Sequence, residues 1–321
     1  MRFFSLSTLS LISASLLFSA PANSTAAIDA LELVDVHRHV HNWVSPTKLE
    51  TEMRELNIGW SGGVGAPYGP FSTQPYSDLL KQRYIATIGQ VTMSDIYKYR
   101  GAKGLEDPEV SEHRQMLVEA ERLFESGSIK GFGELILNNE HSNPNPSFRR
   151  KARIDSEAMV NIFRVANKWG AFVHIHAEDD PESVAQLKAI ATNFPAVPII
   201  LAHCLFTADT LLIDTMLSEH SNFYCEMSAR NESMFSGFFA KKKAAEYGWI
   251  VYDDQSLDAK WKELIERHKT RFMIGTDTFN RSVDVRKTIH QIRRGLLANL
   301  SPETAVLVAS ENAIRVMKLE K

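Results

Sequence analysis

Two histidines, His37 and His39, have the spacing in this sequence that most directly suggests chemistry. They follow the apolar run of Leu33, Val34 and Val36, which is typical of a buried strand. Residues two apart in a strand face the same side, so both imidazoles should project from the strand's carboxyl end. Two neutral imidazoles at this spacing can hold one divalent metal ion, although ordinary histidines at a strand end give the same pattern.

Four more residues that can bind a metal lie in or just after other apolar segments. They are Glu134 in KGFGELIL, His176 in AFVHIHAE, His203 after VPIILA and Asp277 after RFMIGT. A further histidine of AFVHIHAE, His174, lies on the same face but deeper, and we expect it to pack or hydrogen-bond inside the fold. Burying an unpaired histidine or carboxylate is costly, so a shared metal explains the recurrence better than a metal-free polar network.

The elements that must position these residues alternate between strand and helix. Strands are predicted at residues 33–36, 60–65, 84–91, 129–137, 171–177, 197–203, 222–228 and 271–276. Helices are predicted at residues 47–56, 108–127, 155–169, 181–193, 208–219 and 257–268, and from 283 onward, with a loop at 66–76. Roughly eight such units predict a single (β/α)8 barrel of the TIM type, with the site at the carboxyl ends of the strands. The rival, an open doubly wound sheet, lacks its G-x-G-x-x-G motif here.

The order of these residues resembles the amidohydrolase superfamily. The segments VDVHRHVH, GAFVHIHAE, VPIILAHC and RFMIGTDTF resemble its first, fifth, sixth and eighth strands, and LSPETAVLVASENAIRVMKL resembles its closing helices. The sequence looks most like the amidohydrolase-related branch (amidohydrolase-2-like), with a TatD-like feature at GFGE. The resemblance implies an enzyme with one or two divalent ions, zinc being the first expectation and manganese or iron the alternatives.

The resemblance also implies a role for each residue. The residues that match metal ligands of the family are His37, His39, Glu134, His176, His203 and Asp277. Asp277 matches a ligand that also accepts a proton, and His203 matches a histidine that binds a second metal or contacts substrate. Glu134 matches a position held by a carboxylated lysine in many binuclear members and by glutamate in TatD-like ones. The glycines before Glu134 favour a ligand role, so we predict a site able to hold two ions.

These residue types predict a hydrolase that uses metal-activated water on an ester, lactone, amide or phosphoester of a small molecule. Arg230 and Arg281 follow the seventh and eighth predicted strands and could bind a substrate carboxylate or phosphate. Tyr68, in the loop over the predicted mouth, is a further candidate for substrate binding. Two alternatives stay open: a metal-dependent decarboxylase on the same scaffold, and a non-catalytic exported protein that binds a metal or solute.

The first 24 residues differ from the rest of the chain. Arg2 precedes a short apolar segment and then small residues, a pattern typical of a secretory signal peptide. We therefore expect residues 25–321 to form one domain, secreted or periplasmic, with an uncleaved membrane anchor as the alternative. The net charge of −3 gives no case for nucleic acid or for stable membrane association after signal removal, and it leaves a small-molecule substrate as the expected partner.

Two cysteines, Cys204 and Cys225, occur in the whole chain. Two are too few for a disulfide scaffold, and each lies in or directly after a predicted strand. We expect buried thiols, with a bridge between neighbouring strands as the alternative.

Overall fold

The computed structural model describes residues 24–320 apart from 42, 70, 144, 236–243 and 245–246. The described strands are β1 (Leu33–Asp35), β2 (Ile58–Gly62), β3 (Tyr84–Ile85), β4 (Thr87–Gly89), β5 (Gly131–Ile136), β6 (Phe172–His176), β7 (Ile199–Leu201), β8 (Phe223–Glu226) and β9 (Phe272–Met273). The described helices are α1 (Thr25–Ala30), α2 (Pro46–Glu55), α3 (Gln74–Leu80), α4 (Gln90–Glu106), α5 (Ser111–Glu125), α6 (Glu157–Trp169), α7 (Pro181–Asn193), α8 (Thr210–Glu219), α9 (Ala259–Arg267), α10 (Val285–Gln291), α11 (Pro302–Val306) and α12 (Asn312–Val316). None of these helices is long and apolar enough to cross a membrane. The expected signal peptide lies outside the described residues except for Ser24.

The strands are all parallel and pair in the orders β1-β2-β3 and β4-β5-β6-β7-β8-β9. Only Ala86 separates β3 from β4, so these two occupy one position and the nine described strands fill eight positions. Backbone hydrogen bonds from Val36 N to Ile274 O, at 3.2 Å, and from Asp277 N to His37 O, at 2.7 Å, join the first strand to the last. The predicted (β/α)8 barrel is therefore confirmed.

Apolar side chains fill the barrel and the layer between barrel and helices. Inside, Val34, Trp60 and Met273 pack in one buried cluster with Ala313 and Val316 of the C-terminal helix α12. A larger cluster joins the outer faces of the strands to the helices around them. Helix α6 shows the local rules: the Ser156 side chain accepts a hydrogen bond from Met159 N, and Gly170, at φ 59°, ends the helix. The polar exceptions inside the barrel gather at the carboxyl ends of the strands.

Three helices were not predicted from the sequence: the short α1 before the first strand, α3 and α4. Helix α3 lies at the end of the segment predicted as loop, and it begins with Pro75 in its first turn, where a proline is tolerated. Helix α4 contains Gly101 and Gly104, and Gly101 has φ 67°, which breaks the helical geometry. A helix with a kink and a weak apolar stripe gives no periodic signal, so the sequence pattern missed it.

Candidate metal centre

The first strand delivers His37 and His39 to the carboxyl-end face of the barrel, as their spacing predicts. Both residues are buried, and their Nε2 atoms lie 3.2 Å apart. The carbonyl of His37 accepts the hydrogen bond from Asp277 N, which ties this end of the strand to the segment after β9. Two imidazole nitrogens therefore face one point, with a carboxylate beside them.

Glu134 lies between two pairs of histidines. Its Oε2 is 3.4 Å from His37 Nε2 and 3.8 Å from His39 Nε2. Its Oε1 is 2.9 Å from His176 Nδ1 and 3.7 Å from His203 Nε2. Glu134 is buried, and its two oxygens face different pairs of histidines.

Asp277 closes the cluster from the eighth strand position. Its Oδ1 lies 3.1 Å from His39 Nε2 and 3.5 Å from His37 Nε2, and its Oδ2 lies 3.8 Å from His203 Nε2. The structure thus brings together all the residues predicted as ligands, which are His37, His39, Glu134, His176, His203 and Asp277. Their roles toward a metal remain a prediction.

Close packing at this face requires glycine at two positions. A Cβ on Gly133 would lie 2.6 Å from His174 Cβ, too close for any other residue to fit beside Glu134 without a shift. A Cβ on Gly275 would lie 2.6 Å from His37 Cβ and 2.8 Å from a carboxylate oxygen of Glu226. Both glycines therefore allow the charged side chains to approach one another.

The carboxylates of the cluster stay ionised although they are buried. Burial alone would raise the pKa of Glu134, but the neighbouring imidazoles, His37 foremost, hold that pKa well below its ordinary value. The pKa of Asp277 is lowered against the effect of burial in the same way. Burial lowers the pKa of His37, but Glu134, Glu226 and Asp277 outweigh it and hold that pKa well above its ordinary value. Within the described residues neither Glu134 nor Asp277 pairs with lysine or arginine, so the cluster attracts a cation.

Glu226, at the end of β8, is the functional residue that the sequence analysis missed. It is fully buried, and its Oε2 accepts a hydrogen bond from His37 Nδ1 at 3.2 Å. Its Oε1 accepts from His203 N at 3.3 Å and from Ser228 N at 2.9 Å. Because Nδ1 of His37 is bonded to Glu226, Nε2 is the ring nitrogen that faces the centre. The signal was a carboxylate inside the apolar segment FYCEM, the same kind of signal that marked Glu134.

The other three histidines are held in the same manner. Their outward ring nitrogens meet neutral side chains: His39 Nδ1 with Gln90 at 3.1 Å, His203 Nδ1 with Ser228 Oγ at 2.9 Å, and His176 Nε2 with Ser142 Oγ at 3.3 Å. Such outer contacts fix the ring orientation of metal-binding histidines. Four oriented imidazoles and two ionised carboxylates therefore fit a divalent ion that takes nitrogen and oxygen ligands, such as Zn, Mn or Fe.

His174 lies beneath this cluster and takes no part in it. Its ring centroid is 4.8 Å from that of His37, edge to face. Neither ring nitrogen has a hydrogen-bond partner among the described residues, and burial lowers the pKa of His174 to about 3. His174 is therefore neutral and packs within the barrel, the first of the two roles expected for it.

A cavity of about 170 Å³ opens beside the cluster. Apart from the cluster itself, its wall contains the apolar side chains of Phe206, Met234 and Phe279 and the neutral polar side chains of Asn139, Ser142 and Asn143. A cavity of this size suits a small molecule with an apolar part and groups that hydrogen-bond to amides or hydroxyls.

Arg230 does not lie in this cavity, contrary to its expected position in a substrate clamp. It is fully buried, and its guanidinium donates from Nε to His203 O at 2.8 Å and from Nη2 to Leu205 O at 3.0 Å. Burial lowers the pKa of Arg230 to about 9, so the group is still charged at neutral pH. Its donors serve the backbone, because the side chain turns toward the segment after β7 rather than toward the cavity.

Arg281 and Tyr68 also lie outside the cavity. The exposed guanidinium of Arg281 lies over the ring of Trp43, 5.1 Å from its centroid, in a separate groove beside α2. The hydroxyl of Tyr68 lies 3.2 Å from Thr92 Oγ1, in another cavity between α4 and α5. The structure therefore does not bring the predicted substrate-binding residues to the cluster.

The two cysteines form a disulfide, which was the alternative to the buried thiols that we expected. The Cα atoms of Cys204 and Cys225 are 4.6 Å apart, and the bridge joins the turn after β7 to β8. Cys204 therefore lies in a turn and not in a strand, and the turn brings it close to its partner.

Solved structures share this fold at low sequence identity. A probable 2-pyrone-4,6-dicarboxylic acid hydrolase from Acinetobacter baumannii, with citric acid bound, has a TM-score of 0.57 and 12% identity over 90% of this chain and 100% of that chain. An amidohydrolase from Burkholderia multivorans with bound zinc has a TM-score of 0.52 and 15% identity, again over 90% and 100%. An uncharacterised TIM-barrel protein from Bordetella bronchiseptica has a TM-score of 0.50 and 11% identity over 90% and 99%. At such identities the likeness shows the fold alone.

Sequence comparison adds the family. No curated protein matches the chain. The family profile described as Amidohydrolase matches residues 103–319, which is more than half of the 321 residues and includes Glu134, His176, His203 and Asp277. The chain therefore belongs to the amidohydrolase family and is an enzyme of the amidohydrolase type.

Proposed function

We propose that this enzyme is an exported metal-dependent hydrolase that cleaves an ester, lactone, amide or phosphoester bond of a small molecule. The observation that carries the proposal is the convergence of four histidines and two ionised carboxylates, from five strand positions, in one buried cluster beside a cavity. The orienting contacts on the outward ring nitrogens support a metal role over a polar network.

The cluster divides into two candidate ion positions. His37 and His39 lie near one oxygen of Glu134, with Asp277 beside these two histidines, and His176 and His203 lie near the other oxygen. We propose that Glu134 is shared, so that the site can hold two ions, with weaker binding at the second position because it has one carboxylate fewer. Zinc is the first candidate, since the Burkholderia multivorans amidohydrolase of the same fold has zinc bound.

The chain's own residues supply the proton transfer. A divalent ion held by these residues would supply Lewis acidity and lower the pKa of water towards neutrality. Asp277 is ionised, touches the cavity and lies 3.1 Å from His39 Nε2, so it is placed to accept the proton of an attacking water. The same carboxyl then returns the proton to the leaving group. His203 also lines the cavity, and when the second position is empty its Nε2 is free to contact the substrate oxygen.

Hydrolysis is favoured over the two alternatives. A decarboxylase needs a cationic clamp for the substrate carboxylate, and the two arginines proposed for it, Arg230 and Arg281, lie elsewhere. A protein that only bound a metal or solute would not need a proton acceptor at the cavity, where Asp277 lies. The neutral wall of Asn139, Ser142 and Asn143 suits the polar group next to a cleaved bond.

Export is part of the proposal. Residues 1–24 fit a signal peptide, and residues 25–321 would form the mature domain. The Cys204–Cys225 disulfide supports export, since such bridges persist in oxidising compartments such as the periplasm or the extracellular space.

The test combines metal analysis with a substrate panel. Purified mature protein loaded with zinc should contain at least one ion per chain and hydrolyse at least one of an ester, lactone, amide and phosphoester set. His39→Ala should lose most of its zinc and activity while its circular dichroism stays unchanged. The matched control is His268→Ala, which removes a histidine bonded to Asp214 at 2.6 Å, outside the cluster. Full zinc occupancy in His39→Ala would refute the ligand role, and release of CO2 from aromatic carboxylates without any hydrolysis would favour the decarboxylase.

A further inference from the structure

The turn that carries His203 has an uncommon backbone. His203, Cys204 and Leu205 have φ of 55°, 52° and 51°, three consecutive left-handed residues, none of which is glycine. The left-handed conformation is disfavoured for such residues because Cβ approaches the following carbonyl oxygen. A segment of this kind persists only where its surroundings hold it in place, and such segments cluster at active sites. The turn places His203 Nε2 within 3.7 Å of Glu134 and within 3.8 Å of Asp277.

Arg230 holds this turn from one side. Its Nε donates to His203 O, and its Nη2 donates to Leu205 O at 3.0 Å and to Cys204 O and Ala208 O, both at 3.4 Å. The carbonyls of all three left-handed residues therefore point at one guanidinium. Only arginine offers enough donors in a fixed fork for this arrangement, since lysine presents a single nitrogen.

Arg230 also packs against two aromatic rings. Its guanidinium lies 4.9 Å from the ring centroid of Trp261 and 5.9 Å from that of Phe206. Phe206 lines the cavity, and its ring meets the ring of His203 edge to face at 5.8 Å. Arg230 thus supports both the histidine and the aromatic wall next to it, without reaching the cavity itself.

The disulfide holds the same turn from the other side. Cys204 follows His203 directly, and Cys225 precedes Glu226 directly, so the bridge links the backbones of two residues of the site. Glu226 also accepts the hydrogen bond from His203 N at 3.3 Å. The turn is therefore fastened covalently to β8 and through hydrogen bonds to Arg230.

We propose that Arg230 and the Cys204–Cys225 disulfide act together as a clamp that positions His203 in the active site. Arg230 is then a positioning residue, and the disulfide is part of the catalytic architecture rather than only a stabilising link. The inference rests on the proposed function in one respect, which is that His203 works in the site.

Two variants and one matched control test the clamp. Arg230→Lys removes the fork and keeps the charge, and the pair Cys204→Ala and Cys225→Ala removes the bridge without leaving a thiol. The control is Arg293→Lys, because Arg293 is a second buried arginine that donates to three backbone carbonyls, those of Ile28, Leu31 and Leu56, far from the cluster.

The readouts are kcat and KM with the best substrate of the panel, and ¹⁵N NMR of the histidine rings in mature protein, both zinc-free and after zinc loading. We expect Arg230→Lys and the double cysteine variant each to lower kcat at least tenfold with KM within threefold, and to shift or broaden the ring signals of His203. Arg293→Lys should lower the melting temperature but leave kcat within twofold and the His203 signals unchanged.

The proposal and the function behind it fail in different ways. Wild-type protein that binds no zinc and hydrolyses nothing contradicts the proposed function, whereas the NMR comparison still tests the clamp. Unchanged kcat and unchanged His203 signals in both variants would overturn the clamp. If Arg230→Lys does not fold, the double cysteine variant decides by the same two readouts.

Discussion

Replacing Glu226 with glutamine tests whether this buried carboxylate determines which ring nitrogen of His37 carries the proton. Glutamine has the same shape and can keep its oxygen at the Oε1 position, where Glu226 accepts from His203 N and Ser228 N. Its NH2 group then takes the Oε2 position, 3.2 Å from His37 Nδ1, so two donors face each other. His37 must move its proton to Nε2, the atom that faces the cluster, and this opposes metal binding.

The expected magnitude follows from the loss of one orienting carboxylate. Removing such a partner of a metal-binding histidine typically costs about 10- to 100-fold in metal affinity, or about 1.4 to 2.8 kcal/mol. We expect the upper end of this range, because Glu226 is fully buried and water cannot replace the lost acceptor. The variant should fold, since the contacts of Oε1 remain.

The assay is a competition between the protein and a chelator of known zinc affinity, followed by kcat/KM on the same samples. The control is Glu266→Gln, because Glu266 is a carboxylate that accepts from Ser301 N at 2.5 Å and Thr304 Oγ1 at 2.6 Å, outside the cluster. Wild-type zinc affinity in Glu226→Gln, with Glu266→Gln also unchanged, would refute the argument that the outward nitrogen of His37 controls the inward one.

Three further outcomes are expected. Glu134→Gln should lose the weaker ion and most activity while keeping the tighter one; wild-type protein that never binds more than one zinc or manganese per chain would contradict the two-ion site. Glu178 is buried, and although burial raises its pKa, the N–H groups of Ser142 and its neighbour lower it below the ordinary 4.5. The ionised Glu178 therefore stabilises the fold fully above pH 4.5, and this stabilisation is lost as the pH falls through the lowered pKa. Urea unfolding should show a lower free energy of unfolding for Glu178→Gln than for the wild type at pH 7, and the difference should shrink in acid. A difference that does not depend on pH would contradict this. Mass spectrometry of the native protein should find a start between about Ala22 and Ala30, and an intact Met1 on cytosolic protein would rule out export.

The barrel, and the set of residues that meet at its face, could be predicted from the sequence pattern alone. Alternating strands and helices allow few arrangements, and a parallel barrel brings the carboxyl ends of its strands to one rim. Residues at those ends, such as His37, Glu134, His176 and Asp277, could therefore be grouped although they are far apart in the chain. His174 and His176 share one face of their strand, and the position of His174 two residues earlier placed it deeper, where its ring packs below the cluster.

The surroundings of these residues depend on contacts between distant parts of the chain, which the sequence pattern does not reveal. Glu226 is 189 positions from its partner His37, and nothing local marks one buried carboxylate as the orienting group of a distant histidine. Arg230 follows a strand, where a substrate clamp was expected, but the left-handed turn at His203 offers its carbonyls to the guanidinium and draws the side chain away from the cavity.

The disulfide and the position of the Glu134 side chain also depend on the tertiary structure. The sequence left thiols and bridge open, and the turn at Cys204 decided by bringing its Cα within 4.6 Å of that of Cys225. The reach of Glu134 depended on the strand end, which a sequence pattern locates only to within about two residues. In the folded chain, the two oxygens of Glu134 lie 2.9 to 3.8 Å from ring nitrogens of His37, His39, His176 and His203. Composition and periodicity specify which face a residue occupies, whereas the direction of a charged side chain depends on partners that only the folded chain brings near.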